Sequence, residues 1–496
     1  MTAFDLYQTE DQKLKKLIWN CLVFSLVWHL IAAWFSIGYH QADEHFQIIE
    51  FASWKMGNTP QSALTWEFGA RIRPALQPAM VVFIQKYVAP WGNPAQISFL
   101  LRLFSALIGF GSMVLILFIS LKMVDTYESK RFLVLLSNLF WFIPYIHAHF
   151  SAESISGSLF FIGLGSIFYA NEKKKKYLLF LGGFLTGLAF DCRPQTAFMI
   201  FGLALWCIFI ARMKIGSLFR IGVPVLVAIG IGVLIDKWFY GEWVFTAWNY
   251  FKVNIIQGKA SEFGVSPWYK YFYWNFIDLI PPFSLFILAG IIYSLIKYRT
   301  NIFSLAVIPF LLVHIIVAHK EPRFLFPAIG AAPLLLALVY RDFDGRYFKN
   351  VKIKNTILNL FFGLNIIMMA ISCFKPASDR VGLYQYLYKQ YNGKKAMLIC
   401  RKDNPYEYGE NSYFYRIKDI AIVKIATNQG IDSVINTSTK RPLLVLFSKQ
   451  GEADTFAAEH PDAKIVYANI PKWSEKYNYF NWVSRTSLWV LFEVKE

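Results

Sequence analysis

Charge is scarce in this sequence: only 17% of its 496 residues are acidic or basic, against 56% hydrophobic and 18% aromatic. That balance excludes a soluble protein of ordinary make-up and puts a membrane class first. Cysteine is scarcer still. The five present, Cys21, Cys192, Cys207, Cys373 and Cys400, lie far apart with no CxxC pair, which argues against structural disulfides and against zinc. Internal repeats and low-complexity stretches are missing too. The net charge of +18 would suit a nucleic acid, but Lys and Arg stand in short clusters between apolar runs, the pattern of cytoplasmic loops. No nucleic-acid partner is expected.

What the sequence has is apolar runs. The first, Ile18 to Gly38, is roughly the 20 residues a spanning helix needs and lacks a small-residue cleavage site, so a retained helix is expected. Further runs lie near 97–121, 132–149, 154–170, 177–211, 217–235, 275–296, 302–318, 324–340 and 356–374. The 177–211 run is too long for one helix and carries Asp191, Arg193 and Pro194 at its middle. Proline and charge there predict two short helices meeting at a polar turn, which makes about eleven spans in all.

Basic residues set the orientation. With Lys13, Lys15 and Lys16 inside, the clusters Lys122/Lys130/Arg131, Lys173 to Lys176, Arg212/Lys214/Arg220, Lys297/Arg299 and Arg341 to Lys354 all fall on the same side. The opposite side receives 39–96, 147–153, the 191–194 turn, 239–274, 319–323 and everything after about 375. Two domains are expected: a helical membrane module over 1–375, with outer loops 39–96 and 239–274, and a small extracytoplasmic α/β domain over 376–496. The second is read from short β-rich runs, Ala396 to Cys400, Ala421 to Ile425, Pro442 to Phe447, Lys464 to Ala468 and Ser487 to Val494, separated by polar segments.

The residues able to carry chemistry collect in the outer loops. Asp43 and Glu44 directly follow the first apolar run, with Gln47 and Glu50 just downstream. Paired carboxylates at a bilayer rim are well placed to take a proton. Asp43 is equally an ordinary N-cap for an amphipathic helix running to Gly57, with Phe46, Ile49 and Trp54 inward. The two roles are compatible, since a cap fixes its carboxylate. Later in the loop come Trp66, Glu67 and Arg73; arginine grips oxyanions side-on and tryptophan stacks on sugars, although an interfacial helix on anionic lipid uses the same residues. The turn His319-Lys320-Glu321-Pro322-Arg323 is a candidate cradle for a lipid phosphate, or a self-contained ion pair. Asp191 and Arg193 divide in the same way between a structural pair and a second anion contact. His147, His149 and Glu153 are a weaker candidate for a divalent ion, lacking a further ligand nearby.

Taken in order, these motifs resemble glycosyltransferase family 22, the dolichol- or polyprenyl-phosphate-mannose-dependent α-mannosyltransferases of the GT-C fold. The resemblance rests on Asp43-Glu44 with Gln47 and Glu50, and on Thr65-Trp66-Glu67 to Arg73. It rests also on Tyr240 to Trp243 with Trp248-Asn249, Asn254, Phe263-Gly264 and Trp268-Tyr269-Lys270-Tyr271, and on His319 to Phe324. The branch resembled is the GPI mannosyltransferase III and lumenal α-1,2-mannosyltransferase group. The resemblance implies an inverting transfer of mannose from polyprenyl-phosphate-mannose to a hydroxyl of a glycan or glycolipid, without a nucleotide sugar or, usually, a metal. Asp43 or Glu44 matches the base. Gln47, Glu50, Trp66, Glu67, Arg73, Arg193, Asn249, Trp268, Tyr269, His319, Lys320 and Arg323 are the expected contacts to donor or acceptor. The family's Arg-Thr-Leu-x-Asn stretch is here Ala152-Glu153-Ser154-Ile155-Ser156-Gly157, and nothing beyond about 375 matches a family motif. The site would face the periplasm in a bacterium or the ER lumen in a eukaryote. Two other readings stand beside this one: a transporter or flippase of lipid-linked sugar, which calls for pseudo-symmetric halves and mid-span charge, and another GT-C transferase acting on protein or lipid.

Overall fold

The apolar runs read as spans are largely helical in the computed structural model, which describes residues 3–344, 350–407, 411–438, 442–470, 472–479 and 488–494; the 275–296 run is interrupted between Asp278 and Phe283. Among the described residues six helices are long and apolar enough to cross a membrane: Asp11–Phe35, Pro94–Ser120, Ala152–Lys173, Ile215–Tyr240, Pro322–Phe343 and Val351–Phe374. The number rises to eight if each of two sharply bent pairs, Tyr127–Leu139 with Phe142–Ala148 and Phe283–Lys297 with Ile302–Ile316, is one crossing. The expected figure of about eleven also counted shorter pieces. The 177–211 run indeed breaks: Lys176–Cys192 ends at Arg193, whose backbone is extended, and Pro194 opens a separate helical turn. Proline lacks the N–H that would continue the first helix.

Ala152–Lys173 is the central element, with most of its apolar stretch buried, whereas Ile215–Tyr240 and Val351–Phe374 turn most of theirs outward. An outward apolar face is what a lipid-facing helix requires. The chain is an integral membrane protein. Close approach in the bundle is set by small residues. A side chain at Gly157 would meet the backbone of Pro327 at 2.7 Å, which lets the start of Ala152–Lys173 lie directly against the Pro322–Ala331 turn.

The chain divides into two compact units, 1–36 with 67–80 and 100–375, and 37–66 with 81–99 and 376–496. The first outer loop is thus split: only 67–80 belongs with the helices. Within the second unit, the Ala377 N–H donates to the Ile37 carbonyl (2.8 Å), the Phe414 N–H to Glu50 (2.9 Å), and Ser98 hydrogen-bonds Tyr415 (2.7 Å). Its five strands are β1 (Ala396–Arg401), β2 (Ile420–Ile425), β3 (Leu443–Phe447), β4 (Lys464–Ala468) and β5 (Val490–Val494), in the order β2-β1-β3-β5-β4. β1 runs parallel to β2 and β3; β5 is antiparallel to β3 and β4. The uninterrupted apolar sequence of β3 is buried at every position, as a central strand requires. The start of the last expected run, at Ser487, lies outside the described residues.

Replacing Gly157 with valine forces the central helix off the Pro322–Ala331 turn and is expected to cost about 1–3 kcal/mol. Gly111→Ala, where nothing approaches within 4 Å, leaves the melting temperature unchanged or raises it. Thermal unfolding of the purified variants in one detergent checks both.

Candidate active site

The expected site residues fall into both units. In the second unit, the helix after the first apolar run begins at Ala42, so its N-cap is Gln41 and Asp43 sits inside the first turn. This corrects the capping role expected of Asp43. Glu44 explains the difference: its carboxylate turns back to accept the backbone N–H groups of His40 and Gln41, both at 3.3 Å, closing the helix start from within. Asp43 is left half-exposed and Glu44 buried. Gln47 is buried as well, and Trp66 is exposed.

Glu50 is 1% exposed and accepts three donors: the His45 ring nitrogen (3.0 Å), the Thr59 hydroxyl (2.7 Å) and the Phe414 amide (2.9 Å). His45 is in turn stacked between Tyr39 and Tyr415 and within 3.1 Å of Ser412. A carboxylate so fully engaged frames the loop that carries Asp43 and Glu44.

In the helical unit the structure brings a second set of groups together. Ser151 caps the Ala152–Lys173 helix by accepting the Ser154 N–H, which places Glu153 in its first turn. Glu153, 2% exposed, receives Arg193 Nη1 at 2.6 Å and lies 3.6 Å from Arg323 Nη1 through the same oxygen. Arg323 also engages Glu321 through Nε (2.7 Å) and Nη2 (3.2 Å), and Glu321 accepts His319 (3.1 Å). His319 donates its other nitrogen to the Gly264 carbonyl at 3.1 Å, which ties the 239–274 loop to this turn. Arg193 and Arg323 both stack on Phe324, their guanidinium carbons 5.1 and 5.4 Å from its ring centre. Lys320 is buried, its ammonium donating to the Val317 carbonyl and lying 6.0 Å from the Tyr271 ring. Burial pulls the Lys320 ammonium below its usual range and pushes the Tyr271 phenol up, the nearby Arg193 charge opposing the latter shift.

Beside this corner, Glu67 and Arg73 are 3.6 Å apart, and Arg73 lies 6.0 Å from the Tyr250 ring. Tyr250 accepts Gln195 at 2.5 Å. Asn249 donates to the Arg71 carbonyl (3.2 Å), so its amide holds the 67–80 segment. Asp236 does the same, accepting the Ala75 N–H (2.7 Å) and the Thr246 hydroxyl (2.8 Å). Trp268 and Tyr269 are exposed. The His147, His149 and Glu153 trio is not assembled. His147 meets His29 at 3.0 Å, whose Nδ1 donates to the Ser25 carbonyl; His149 meets Ser36 at 3.3 Å; Glu153 goes to the arginines.

Reading the sequence missed Glu153 as an arginine partner, and missed Gln195, Tyr250 and Asp236 altogether. Asp236 carried a signal, an acid near the end of a long apolar helix. Gln195 follows the proline break directly, and a polar residue at such a break in a membrane helix is a usable pointer.

A family model described as the Alg9-like mannosyltransferase family matches residues 20–413, and the chain belongs to that family. It is 26% identical to GPI alpha-1,2-mannosyltransferase 3 of Bos taurus, over 58% of this chain and 52% of that protein. The same protein in Homo sapiens is also 26% identical, over 58% and 51%. A Schizosaccharomyces pombe protein named as a probable Dol-P-Man:Man(7)GlcNAc(2)-PP-Dol alpha-1,6-mannosyltransferase is 29% identical over 40% and 35%. The chain thus spans about half the length, or less, of these relatives. Among solved structures, ArnT from Cupriavidus metallidurans bound to undecaprenyl phosphate matches with a TM-score of 0.52 and 11% identity, covering 97% of this chain and 98% of that one. At that identity the likeness shows the fold, which is GT-C.

Changing Glu50 to alanine strands three donors in a buried place and is expected to cost about 2–4 kcal/mol. Glu50→Gln, which keeps the volume and one acceptor, costs less. Tryptic cleavage within 376–496 of the folded protein, timed against wild type, reads out the loss.

Proposed function

We propose that this protein is an inverting glycosyltransferase that moves mannose from polyprenyl-phosphate-mannose to a hydroxyl of a glycan or glycolipid on the non-cytoplasmic face. The observation that carries the reading is the buried corner of Arg193, Lys320 and Arg323 in a member of a mannosyltransferase family. Cations held at a membrane rim inside an apolar chain suit a donor whose sugar leaves from a lipid phosphate. The names of the relatives support mannose as the sugar. The undecaprenyl phosphate bound to ArnT supports a polyprenyl carrier, and the clustering of Lys and Arg on the other side supports an extracytoplasmic site.

In an inverting displacement the acceptor oxygen attacks the anomeric carbon opposite the phosphate, so one carboxylate takes the hydroxyl proton while cations stabilise the departing anion. Asp43 or Glu44 is the base of this reading. Asp43 is the more accessible of the two, while Glu44 already accepts two backbone amides. A phosphate leaves as a stable anion and needs no general acid, and the cationic side chains supply charge that a metal would otherwise bring.

Purified protein given labelled polyprenyl-phosphate-mannose and an extract of the native membrane is expected to transfer label to a lipid-linked or periplasmic glycan, identified by mass spectrometry. Asp43→Asn is expected to lower kcat by about 10²–10⁴ with donor KM little changed. Full activity in both Asp43→Asn and Glu44→Gln refutes the assignment of the base.

A further inference from the structure

The two arginines of the buried corner are not equivalent. A guanidinium presents its Nε–H and the adjacent Nη2–H as a parallel pair, the edge that grips two oxygens of one oxyanion. On Arg323 that edge is filled, because Nε and Nη2 both donate to Glu321. On Arg193 it is open. Arg193 is 4% exposed, Nη1 is spent on Glu153, and Nε and Nη2 have no hydrogen-bond partner among the described residues. A buried pair of donors on a permanent cation is costly to leave unmatched, and native folds complete such groups with an ordered water or a ligand. Around it stand Phe324, which supports the flat face of the guanidinium at 5.1 Å, and Tyr271, whose phenol feels the Arg193 charge.

We propose that the Nε/Nη2 edge of Arg193 is the seat of a phosphate group, and that Glu153 is a positioning residue that holds this edge in place by taking Nη1. Arg323, saturated by Glu321, acts on the same phosphate by charge alone. The identification of the phosphate as that of the lipid donor rests on the reading given under Proposed function. Charge supports an anion here: Arg193, Arg323 and Lys320 outnumber Glu153 and Glu321, and His319 beside Glu321 adds to the positive side when it is protonated. Glu153 sets the aim through one oxygen, Oε1, which lies 2.6 Å from Arg193 and 3.6 Å from Arg323, so it holds both guanidiniums against the same Phe324 ring without occupying the open edge.

The test is a thermal-shift titration of the full chain in detergent with undecaprenyl phosphate, undecaprenol and inorganic phosphate, run beside the mannose-transfer assay. Undecaprenyl phosphate is expected to stabilise the wild type, undecaprenol not to, and inorganic phosphate to act only at much higher concentration. Arg193→Lys keeps the charge and removes the side-on edge, so the titration midpoint should rise about tenfold or more. Glu153→Gln keeps an acceptor for Nη1 and should raise the donor KM and lower kcat, each severalfold; Glu153→Ala, which strands two buried guanidiniums, should be worse in both and should also lower the melting temperature. Wild-type midpoints in Arg193→Lys overturn the proposal, as do equal shifts with undecaprenol; equal midpoints for inorganic phosphate and the lipid overturn the lipid source. If Arg193→Lys fails to fold, an unchanged donor KM in both Glu153 variants overturns it instead. Binding of undecaprenyl phosphate that depends on Arg193, with no mannose transferred, refutes the proposed function and leaves this grip standing; mannose transfer with Arg193→Lys unaffected does the reverse.

Discussion

Charge survives inside an apolar helical bundle only in company, because an isolated ion loses its hydration with nothing in return. Glu153 supplies that company here. One buried carboxylate lies between Arg193, at the break after the Lys176–Cys192 helix, and Arg323, at the start of the Pro322–Ala331 turn. Three separate parts of the chain are thereby fixed at one point, and the fold around them is arranged to permit it. Ser151 caps the helix so that Glu153 falls in its first turn, Gly157 lets that helix touch Pro327, and Pro194 and Pro322 open the helical turns beside which the arginines project.

The second unit solves the same problem with a different group. Among the described residues Glu50 has no Lys or Arg opposite it, and it is matched by one imidazole, one hydroxyl and one main-chain amide. Hydrogen bonds to a buried carboxylate are stronger than those between neutral groups, so the loop bearing Asp43 and Glu44 is held by the segment around Ser412 and Phe414. This is why 37–66 belongs with 376–496 rather than with the helices that flank it in sequence.

What the sequence made legible follows from the range of the forces involved. Apolar runs and their breaks depend on neighbours a few residues apart, so the helices, the interruption at Pro194 and the five strands were readable from periodicity and proline. Side-chain choices at short range were less so: Asp43 and Glu44 are both able to close a helix start, and the one that reaches back is Glu44. Pairings across 40 residues, as between Glu153 and Arg193, or across more than 360, as between Glu50 and Phe414, leave no local trace. The same chemistry that marked Glu153 as a possible metal ligand, a carboxylate near two histidines, serves an ion pair equally well, and only geometry separates them.

A corner that holds cations in balance with carboxylates suits the proposed reaction better than bare positive charge would. An enzyme gains rate only from contacts that are stronger in the transition state than with the bound donor. The phosphate of a sugar phosphodiester carries one negative charge and gains a second as the sugar leaves, so the useful cation is one whose pull rises with that change. Arg323 is already neutralised side-on by Glu321, and Arg193 only end-on by Glu153. The first sets a constant field; the second has donors still to give. Under the proposed reaction Arg193 is therefore the side chain whose hold strengthens as the phosphate departs.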